Sequence, residues 1–346
     1  MVAWQRGHGR HDLPWQNTQD PYRVWLSEIM LQQTQVATVR GYYARFIERF
    51  PDVLSLAGAP LDEVLGLWSG LGYYSRARNL HRCAQSIVEQ YGGVFPKSAQ
   101  LLETLPGIGR STAAAVAALC FGEQVAIMDA NAKRVLARVL GFDADLARAG
   151  NVQTLWRMAA DLLPQGAYAA QAMPVYTQGM MDLGAMVCLP KNPDCSSCPV
   201  RSLCSAAASG DPQRYPMRTR VRKRSSQSLW LLWMQSARGA VLLTQRPTPG
   251  VWAGLHCFPL FDSEAALMRA LPTHWHGRLQ RQPAFKHVLT HKDLHLHPLH
   301  VTLPDADDAL YREEGRWLAA HEWPQLGLPA PVRKLLQQGA SLQSCG

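Results

Sequence analysis

Residues 101–115 read Leu-Leu-Glu-Thr-Leu-Pro-Gly-Ile-Gly-Arg-Ser-Thr-Ala-Ala-Ala. This stretch predicts the end of one helix, a tight turn that holds Gly107 and Gly109, and the start of a second helix. Glycine permits the positive φ that such a turn needs. Backbone N–H groups that lead into a helix N-terminus can converge on one anion, so the turn is a candidate phosphate site. A glycine cap followed by an ordinary connector is the alternative, and the motif alone does not exclude it.

Four cysteines follow this motif in the spacing C-x6-C-x2-C-x5-C, at Cys188, Cys195, Cys198 and Cys204. Sulfur-only ligation is typical of zinc or of an iron–sulfur cluster. Zinc sites usually pair two C-x2-C hooks, and only the middle pair has that spacing here, so the pattern favours a cluster. Disulfides or unrelated core cysteines are the alternatives. Nothing at the N-terminus resembles a secretory signal, so we expect a cytoplasmic protein without an oxidised framework.

The 346-residue chain has a net charge of +9, and seven of those charges belong to residues 1–225. A basic body of this kind suits a polyanionic partner, although a merely soluble basic protein is the alternative. The length allows two domains with proper cores. No run approaches the roughly eighteen apolar residues that a membrane span needs, so we expect no membrane partner.

The spacing of apolar residues predicts a mainly α-helical domain over residues 1–205. The predicted helices are 22–36, 38–50, 61–68, 75–91, 98–105, 111–121, 131–140, 151–163 and 168–187. Residues 206–228 contain six Arg or Lys residues among small ones and predict a basic linker. The few residues before Leu13 leave open whether a first helix is complete.

Residues 229–346 predict a smaller α+β domain. Leu229–Met234 and Ala240–Thr244 flank a Ser-Ala-Arg-Gly turn, which indicates a hairpin. A further strand is predicted at His295–Leu303, and short helices at Ala265–Leu271 and Ala330–Leu336.

These motifs together resemble the endonuclease III superfamily of DNA glycosylases, and within it the MutY-type adenine DNA glycosylases. The resemblance rests on the glycine turn, on Asp129 some twenty residues later and on the cysteine loop. It extends to the segments Leu13–Trp15, Val24–Val36, Gly70–Asn79 and Met180–Ala185. It implies a helix–hairpin–helix glycosylase domain with one 4Fe–4S cluster on the four cysteines, a Nudix-like second domain, and a monomer. The implied substrate is double-stranded DNA in which adenine is mispaired with 8-oxoguanine or guanine.

The resemblance also implies two catalytic carboxylates. Cleaving an N-glycosidic bond requires the base to be protonated as it leaves and the positively charged sugar to be stabilised. Glu28 is implied as the acid, because a desolvated carboxyl group keeps its proton nearer neutral pH. An exposed helix glutamate is the alternative that periodicity alone favours. Asp129 is implied to stabilise the oxocarbenium-like sugar, and its position also predicts a helix N-cap.

Ser111 stands where bifunctional relatives carry a lysine that forms a Schiff base. The resemblance therefore implies a monofunctional glycosylase, and helix capping is the local alternative for Ser111. Further roles are implied for a set of residues whose alternatives are core packing or plain surface positions. Gln33 is implied as a wedge in the duplex, Thr34 as a DNA contact, Tyr73 as an intercalating ring, Gly107 and Gly109 as phosphate contacts, and Trp15 and Gln178 as lining of the adenine pocket.

Gly250–Pro259 resembles the loop that opens the Nudix-like domain of the family. The acidic helix of true Nudix hydrolases has no counterpart in Asp262–Leu271, which predicts a binding module and not a pyrophosphohydrolase. Phe285–His291 resembles the loop that checks for 8-oxoguanine, with Thr290 and His291 supplying the hydroxyl and the imidazole. Leu289 replaces the aromatic residue of many relatives, which puts stacking there in doubt. A group of five histidines is predicted on a DNA-facing surface: His287, His291, His295, His297 and His300.

Two other functions stay open at this point. A bifunctional glycosylase/lyase for oxidised pyrimidines is disfavoured by Ser111 and by the second domain. A non-catalytic iron–sulfur DNA-binding regulator would need no acid at Glu28.

Overall fold

The computed structural model describes residues 1–16, 18–219, 224–304 and 315–343. The chain forms two compact units, and each is continuous in space but not in sequence. The first consists of Met1–Gly58 and Arg78–Arg220, and the second of Ala59–Ala77 and Val221–Gly346. Within the described residues, no helix has the length and apolar character that crossing a membrane would require.

Helices build the first unit, as the sequence predicts. The helices of the chain before residue 210 are α1 (Val2–His8), α2 (Pro21–Leu31), α3 (Val36–Arg49), α4 (Val53–Gly58), α5 (Leu61–Leu67), α6 (Ser75–Tyr91), α7 (Ala99–Leu102), α8 (Arg110–Phe121), α9 (Ala130–Val139), α10 (Ala149–Ala160), α11 (Ala169–Met186) and α12 (Ser205–Ala208). Helix α8 carries a run of buried small residues, Ala113–Ala118, and packs on α2 and α11. The small side chains allow the helices to approach closely, which brings residues of all three helices around one cavity.

The glycine turn between α7 and α8 has the conformation that its sequence predicts. Gly107 has φ +78°, and a Cβ atom there would lie 2.5 Å from Cβ of Asn79. Both the backbone angle and the available space therefore require glycine. Gly109 is the N-cap residue of α8.

The predicted helix 22–36 is wrong at its C-terminal end. Helix α2 stops at Leu31, and α3 begins only at Val36. Gln33 adopts φ +59°, a left-handed conformation that a helix cannot continue through. Gln33 and Thr34 consequently lie in the connection between α2 and α3. The predicted helix 98–105 shrinks to Ala99–Leu102 because the residues after it enter the glycine turn.

The predicted basic linker 206–228 is structured at both ends. Residues up to Thr219 pack on the first unit: the Nε of Arg138 donates to the carbonyl of Tyr215 at 3.3 Å, and the Thr219 hydroxyl donates to Asp145 at 2.5 Å. At the other end, the first strand already begins at Ser225. Hydrogen bonds to residues distant in sequence, which a composition-based prediction does not detect, account for the packing of residues up to Thr219.

The second unit is built on a mixed sheet. The described strands are β1 (Ser225–Ser236), β2 (Val241–Gln245), β3 (His256–Cys257), β4 (Leu260–Phe261), β5 (Gln280–Arg281), β6 (Phe285–Val288), β7 (Lys292–Leu303) and β8 (Arg316–Leu318). Strands β1 and β7 run parallel from Ser225↔Lys292 to Ser236↔Leu303, and the predicted β1–β2 hairpin is present. Helix α14 (Ala330–Gln343) packs on one apolar cluster of the sheet and α13 (Glu264–Ala270) on another.

Segment 59–77 belongs to the second unit although it lies early in the chain. Leu65 and Trp68 of this segment are fully buried. A Cβ atom on Gly66 would lie 2.0 Å from the carbonyl oxygen of Gln325. The Tyr74 hydroxyl donates to the carbonyl of Leu328 at 2.8 Å. The sequence gives no sign of this packing, since the partners are about 260 residues apart.

Candidate functional site

The first unit contains a partly open cavity. Its walls come from α2, α8, α11 and the segment that precedes α2. Among its lining residues are Arg10, Leu13, Trp15, Glu28, Gln178 and Met181. The structure therefore brings Glu28 together with Trp15 and Gln178, the two residues that the resemblance places beside adenine.

Glu28 projects from α2 into this cavity between two apolar neighbours, Val24 and Leu31, which also line it. Burial of the carboxyl group, with a smaller contribution from the charge of Asp129, raises the pKa of Glu28 to about 7. Both causes disfavour the ionised form. Glu28 is therefore not an ordinary exposed helix glutamate, and its protonation at neutral pH suits a general acid.

Asp129 is the N-cap residue of α9. Its Oδ1 accepts a hydrogen bond of 2.7 Å from the backbone N–H of Ala132, as the capping prediction requires. The residues just before it, Ala126–Met128, are buried and fix the approach of the chain. The effect of Asp129 on the pKa of Glu28 shows that the two carboxyl groups are near enough to interact.

Ser111 does not cap α8, so that alternative is wrong. Gly109 occupies the N-cap position. The Ser111 hydroxyl instead accepts a 3.1 Å hydrogen bond from the N–H of Met128, the residue before Asp129. Ser111 thus ties the start of α8 to the segment that presents the second carboxylate.

Sequence reasoning missed an ion pair next to the cavity, in which Arg10, a lining residue, bonds to Asp182. Asp182 on α11 has a fully buried side chain, and Arg10 donates to its two oxygens through its backbone N–H and its guanidinium group. Gln178 donates its Nε2 to Asp182 at 3.0 Å. Asp182 is the one charged residue of α11, and a lone charge on an apolar helix is a signal that could have marked it for attention. Its partner, Arg10, lies 172 positions away in the chain, so no local pattern links the two residues.

Gln33 and Thr34 lie in the turn that follows α2. Gln33 is exposed, and its positive φ directs the chain sharply between two helices. The Thr34 N–H donates to the carbonyl of Leu31 at 3.3 Å. A protruding side chain on a constrained turn is compatible with insertion into a duplex.

The four cysteines of the loop line one cavity, together with residues of α9 and α11. All four are free thiols, so the disulfide alternative does not hold. Within the described part of the chain, no three His, Cys, Asp or Glu side chains are arranged around a single ion. Four Cys thiolates, each on a different iron atom, are the usual ligands of a 4Fe–4S cluster, so this donor set fits such a cluster.

Two buried arginines of α9 hold this loop. Arg138 donates from Nη1 to Sγ of Cys188 at 3.3 Å and to the carbonyl of Leu189 at 2.7 Å. Arg134 donates from Nε to the carbonyl of Cys188 at 2.7 Å. The loop is therefore anchored by hydrogen bonds from the helix that Asp129 caps.

In the second unit, Tyr73 and Thr290 meet: the hydroxyl of Tyr73 is hydrogen-bonded to Oγ1 of Thr290. Tyr73 has φ +49° and remains two-fifths exposed, and Thr290 and His291 are exposed. Leu289 packs instead against the apolar cluster of the sheet. The two residues predicted to read the lesion strand from separate parts of the chain are thus neighbours.

Of the five histidines predicted on a DNA-facing surface, His287, His297 and His300 are half-buried, and contact with DNA stays a prediction. His291 and His295 are exposed. His297 stacks on Trp230 with ring centroids 4.5 Å apart, and His300 is hydrogen-bonded to Gln235 at 3.1 Å. The last two imidazoles therefore have packing partners within the sheet.

Comparison with protein families gives two matches. Residues 26–157 match the HhH-GPD superfamily of base excision DNA repair proteins, and residues 229–338 match the NUDIX domain family. The matches fall on the helical part and on the sheet-containing part of the chain.

Relatives of known function match nearly the whole chain. An adenine DNA glycosylase of Buchnera aphidicola is 33% identical, over 97% of this chain and 94% of its own. The adenine DNA glycosylase of Homo sapiens is 32% identical, over 100% of this chain and 74% of its own. Among solved structures, a thermostable thymine-DNA glycosylase matches with a TM-score of 0.53 and 30% identity, over 60% of this chain and 93% of that one.

Proposed function

The chain belongs to the adenine DNA glycosylases, base excision repair enzymes that hydrolyse N-glycosyl bonds, and we propose that it removes adenine paired with 8-oxoguanine or guanine in double-stranded DNA. The observation that carries the proposal is Glu28 in a largely apolar cavity, with its pKa raised to about 7 by burial and by the charge of Asp129.

The proposed reaction begins when adenine leaves the base stack and enters the cavity, since its glycosidic bond is not accessible inside the duplex. Glu28 donates its proton to a ring nitrogen of adenine. The bond between the sugar and the base then breaks, and both bonding electrons leave with the base. Asp129 stabilises the positive charge that develops on the sugar. Water adds to the sugar, and its proton passes to a carboxylate.

A hydroxyl group at Ser111 supports monofunctional chemistry. A lyase step requires an amine that forms a Schiff base with the sugar. The Ser111 hydroxyl is hydrogen-bonded to the backbone of Met128, and it supplies no such nucleophile. Water is therefore the proposed nucleophile.

We propose that Cys188, Cys195, Cys198 and Cys204 hold one 4Fe–4S cluster. The free thiols around one cavity, and the buried arginines that anchor the loop, support this assignment. Such a cluster cross-links the loop through four iron–sulfur bonds and fixes its shape.

Contacts to DNA are proposed for residues outside the cavity. The turn of Gly107, Gly109 and Ser111 at the start of α8 would bind a phosphate group. Gln33 and Thr34 would contact the duplex near the flipped base. Tyr73, with Thr290 and His291, would read the base opposite adenine, and the hydrogen bond between Tyr73 and Thr290 supports a joint role.

The proposal is tested with three duplexes that carry 8-oxoguanine:adenine, guanine:adenine or thymine:adenine at one position. We expect free adenine and alkali-sensitive strand breaks from the first two duplexes, and neither from the third. Borohydride added during the reaction should trap no abundant protein–DNA adduct. Strong trapping, or release of an oxidised pyrimidine instead of adenine, would favour the bifunctional alternative.

A further inference from the structure

The turn between β6 and β7 presents Thr290 and His291 at its tip. The two strands pair antiparallel, with Val288 opposite Asp293, and the N–H of Leu289 donates to the carbonyl of Lys292 at 2.8 Å. Both tip residues are exposed. Their position therefore depends on what holds the backbone on either side of them.

Two consecutive residues just before β1 hold that backbone. Arg224 donates from Nη2 to the carbonyl of Leu289 at 3.0 Å. The N–H of Ser225 donates to the carbonyl of His291 at 3.1 Å. The carbonyl groups on both sides of Thr290 are thus fixed from a segment 65 residues earlier in the chain.

The side chain of Arg224 is itself held by Asp293. Asp293 is partly buried, and it pairs with Arg224 through Oδ1 and with Lys286 through Oδ2, the latter at 2.6 Å. These two cations hold the pKa of the Asp293 carboxyl group below its ordinary value. Without that carboxylate, two positive charges would face each other beside the turn, and nothing would orient the guanidinium group toward Leu289.

We propose that Arg224 and Asp293 are positioning residues that determine how strongly the enzyme prefers 8-oxoguanine to guanine opposite adenine. They act by fixing Thr290, whose hydroxyl also bonds to Tyr73. This inference rests on the proposed reading of the lesion strand by Thr290 and His291. Hydrogen bonds depend steeply on geometry, so a displaced turn weakens contacts that only one of the two opposite bases can make.

A phosphate contact is the competing role for a basic residue between the two domains. Loss of a phosphate contact weakens binding to both duplexes about equally and lowers the salt dependence of binding. Loss of a positioning contact changes the ratio between the duplexes and leaves the salt dependence unchanged. The two roles are therefore separable by measurement.

The experiment uses the full-length protein with Arg224→Gln and Asp293→Asn as separate variants. Arg281→Gln is the matched control, since Arg281 forms an ion pair with Glu264 at 2.5 Å in the same unit, away from the turn. Single-turnover adenine excision is measured on 8-oxoguanine:adenine and guanine:adenine duplexes at matched salt. We expect the ratio of the two rates to fall about threefold to tenfold in both variants, as for one well-placed hydrogen bond, and to stay unchanged in the control.

Thr290→Ala gives a second, independent measurement. Since Arg224 is proposed to act through Thr290, Arg224→Gln should reduce the ratio little further when Thr290→Ala is already present. Equal losses on both duplexes with a lower salt slope, or an unchanged ratio in Arg224→Gln and Asp293→Asn, would overturn the inference.

The proposed role of Thr290 and His291 in reading the lesion strand can be tested separately from the positioning role. If Thr290→Ala combined with His291→Ala leaves the ratio unchanged, the reading role itself is wrong, and the positioning role falls with it. If that pair lowers the ratio while Arg224→Gln does not, only the positioning role is wrong.

Discussion

Asp182 and Glu28, two acids of the helical unit, differ in their surroundings. The side chain of Asp182 is fully buried, and Arg10 bonds to it through its backbone N–H, its Nε and its Nη2. For Glu28, burial and the charge of Asp129 both act to raise the pKa. One carboxyl group thus has a cationic partner, whereas the other faces a cavity and a neighbouring acid.

Glu28 should therefore lower the stability of the folded protein at high pH. The pKa of this carboxyl group is raised from 4.5 to about 7 by folding. The free energy of unfolding therefore has its full value below pH 4.5, falls as the unfolded chain ionises, and has lost this contribution once pH has risen through 7. Glu28→Gln should accordingly be more stable than the wild type at pH 8.5. The gain should be about 2 kcal/mol larger there than at pH 5. Urea unfolding at both values checks this, and a gain independent of pH would contradict the raised pKa.

Asp182→Asn should have the opposite effect on stability. It leaves the Arg10 guanidinium group without its buried partner, which destabilises by about 3 kcal/mol at neutral pH. Urea unfolding at pH 7.5 measures the loss, with Asp12→Asn as the control, because the Asp12–Arg40 pair is largely exposed. Similar values for the two variants would show that the Arg10–Asp182 pair is not structurally important.

At the scale of single elements, the cysteine loop depends on Arg138. This fully buried side chain donates to Cys188, Leu189, Pro190 and Tyr215. Arg138→Met keeps the apolar stem but removes all of these bonds, and it leaves the loop free to open. We expect purified wild-type protein to be yellow-brown with about four irons and four sulfides per chain.

The Arg138→Met variant should lose the visible absorption of its cluster several times faster in the presence of an iron chelator, because an open loop exposes the iron. Arg148→Met, at an exposed position before α10, is the control and should behave as the wild type. Equal rates of loss in the two variants, or one zinc ion per chain without visible absorption, would refute the account of this loop.

Most helices, strands and turns were predicted because each is determined by residues that are neighbours in the sequence. Helix α6 has the bounds 75–91 that its apolar spacing predicts, and the glycine turn and the β1–β2 hairpin follow from Gly107 and from a short turn sequence. The end of α2 was missed because Gln32-Gln33-Thr34 contains no Gly or Pro, and only packing imposes the positive φ of Gln33. The resemblance singled out Glu28 and Asp129 as catalytic candidates, but the raised pKa of Glu28 depends on burial that no local pattern encodes.

At the scale of the molecule, the main surprise is the membership of segment 59–77 in the second unit. Leu65, Ser69 and Tyr74 contact residues 325–333, and Tyr73 contacts Thr290. Such long-range contacts have no sequence periodicity, so the linear domain boundaries predicted from composition could not include them. The consequence is that the C-terminal part of the chain supports the segment that carries the proposed intercalating residue.

Gly66→Ala tests this long-range packing. The added methyl group would lie 2.0 Å from the carbonyl oxygen of Gln325, so α5 or the residues around Gln325 must shift, at a cost of about 1–3 kcal/mol. Gly41→Ala is the matched control, because a Cβ on this helical glycine meets nothing within 4 Å and should stabilise α3 by a few tenths to about 1 kcal/mol. Thermal unfolding should therefore show opposite shifts. A neutral or stabilising Gly66→Ala would contradict the packing of segment 59–77.

The most direct test of the central claim is the pH dependence of single-turnover adenine release from an 8-oxoguanine:adenine duplex, measured for wild type and Glu28→Gln. The wild-type rate should fall as pH rises above about 7, because the acid that protonates adenine loses its proton there. Glu28→Gln should be slower by about 100-fold to 10,000-fold, without that dependence on pH and with duplex binding retained. A Glu28→Gln rate within a few-fold of wild type would contradict the assignment of Glu28 as the catalytic acid.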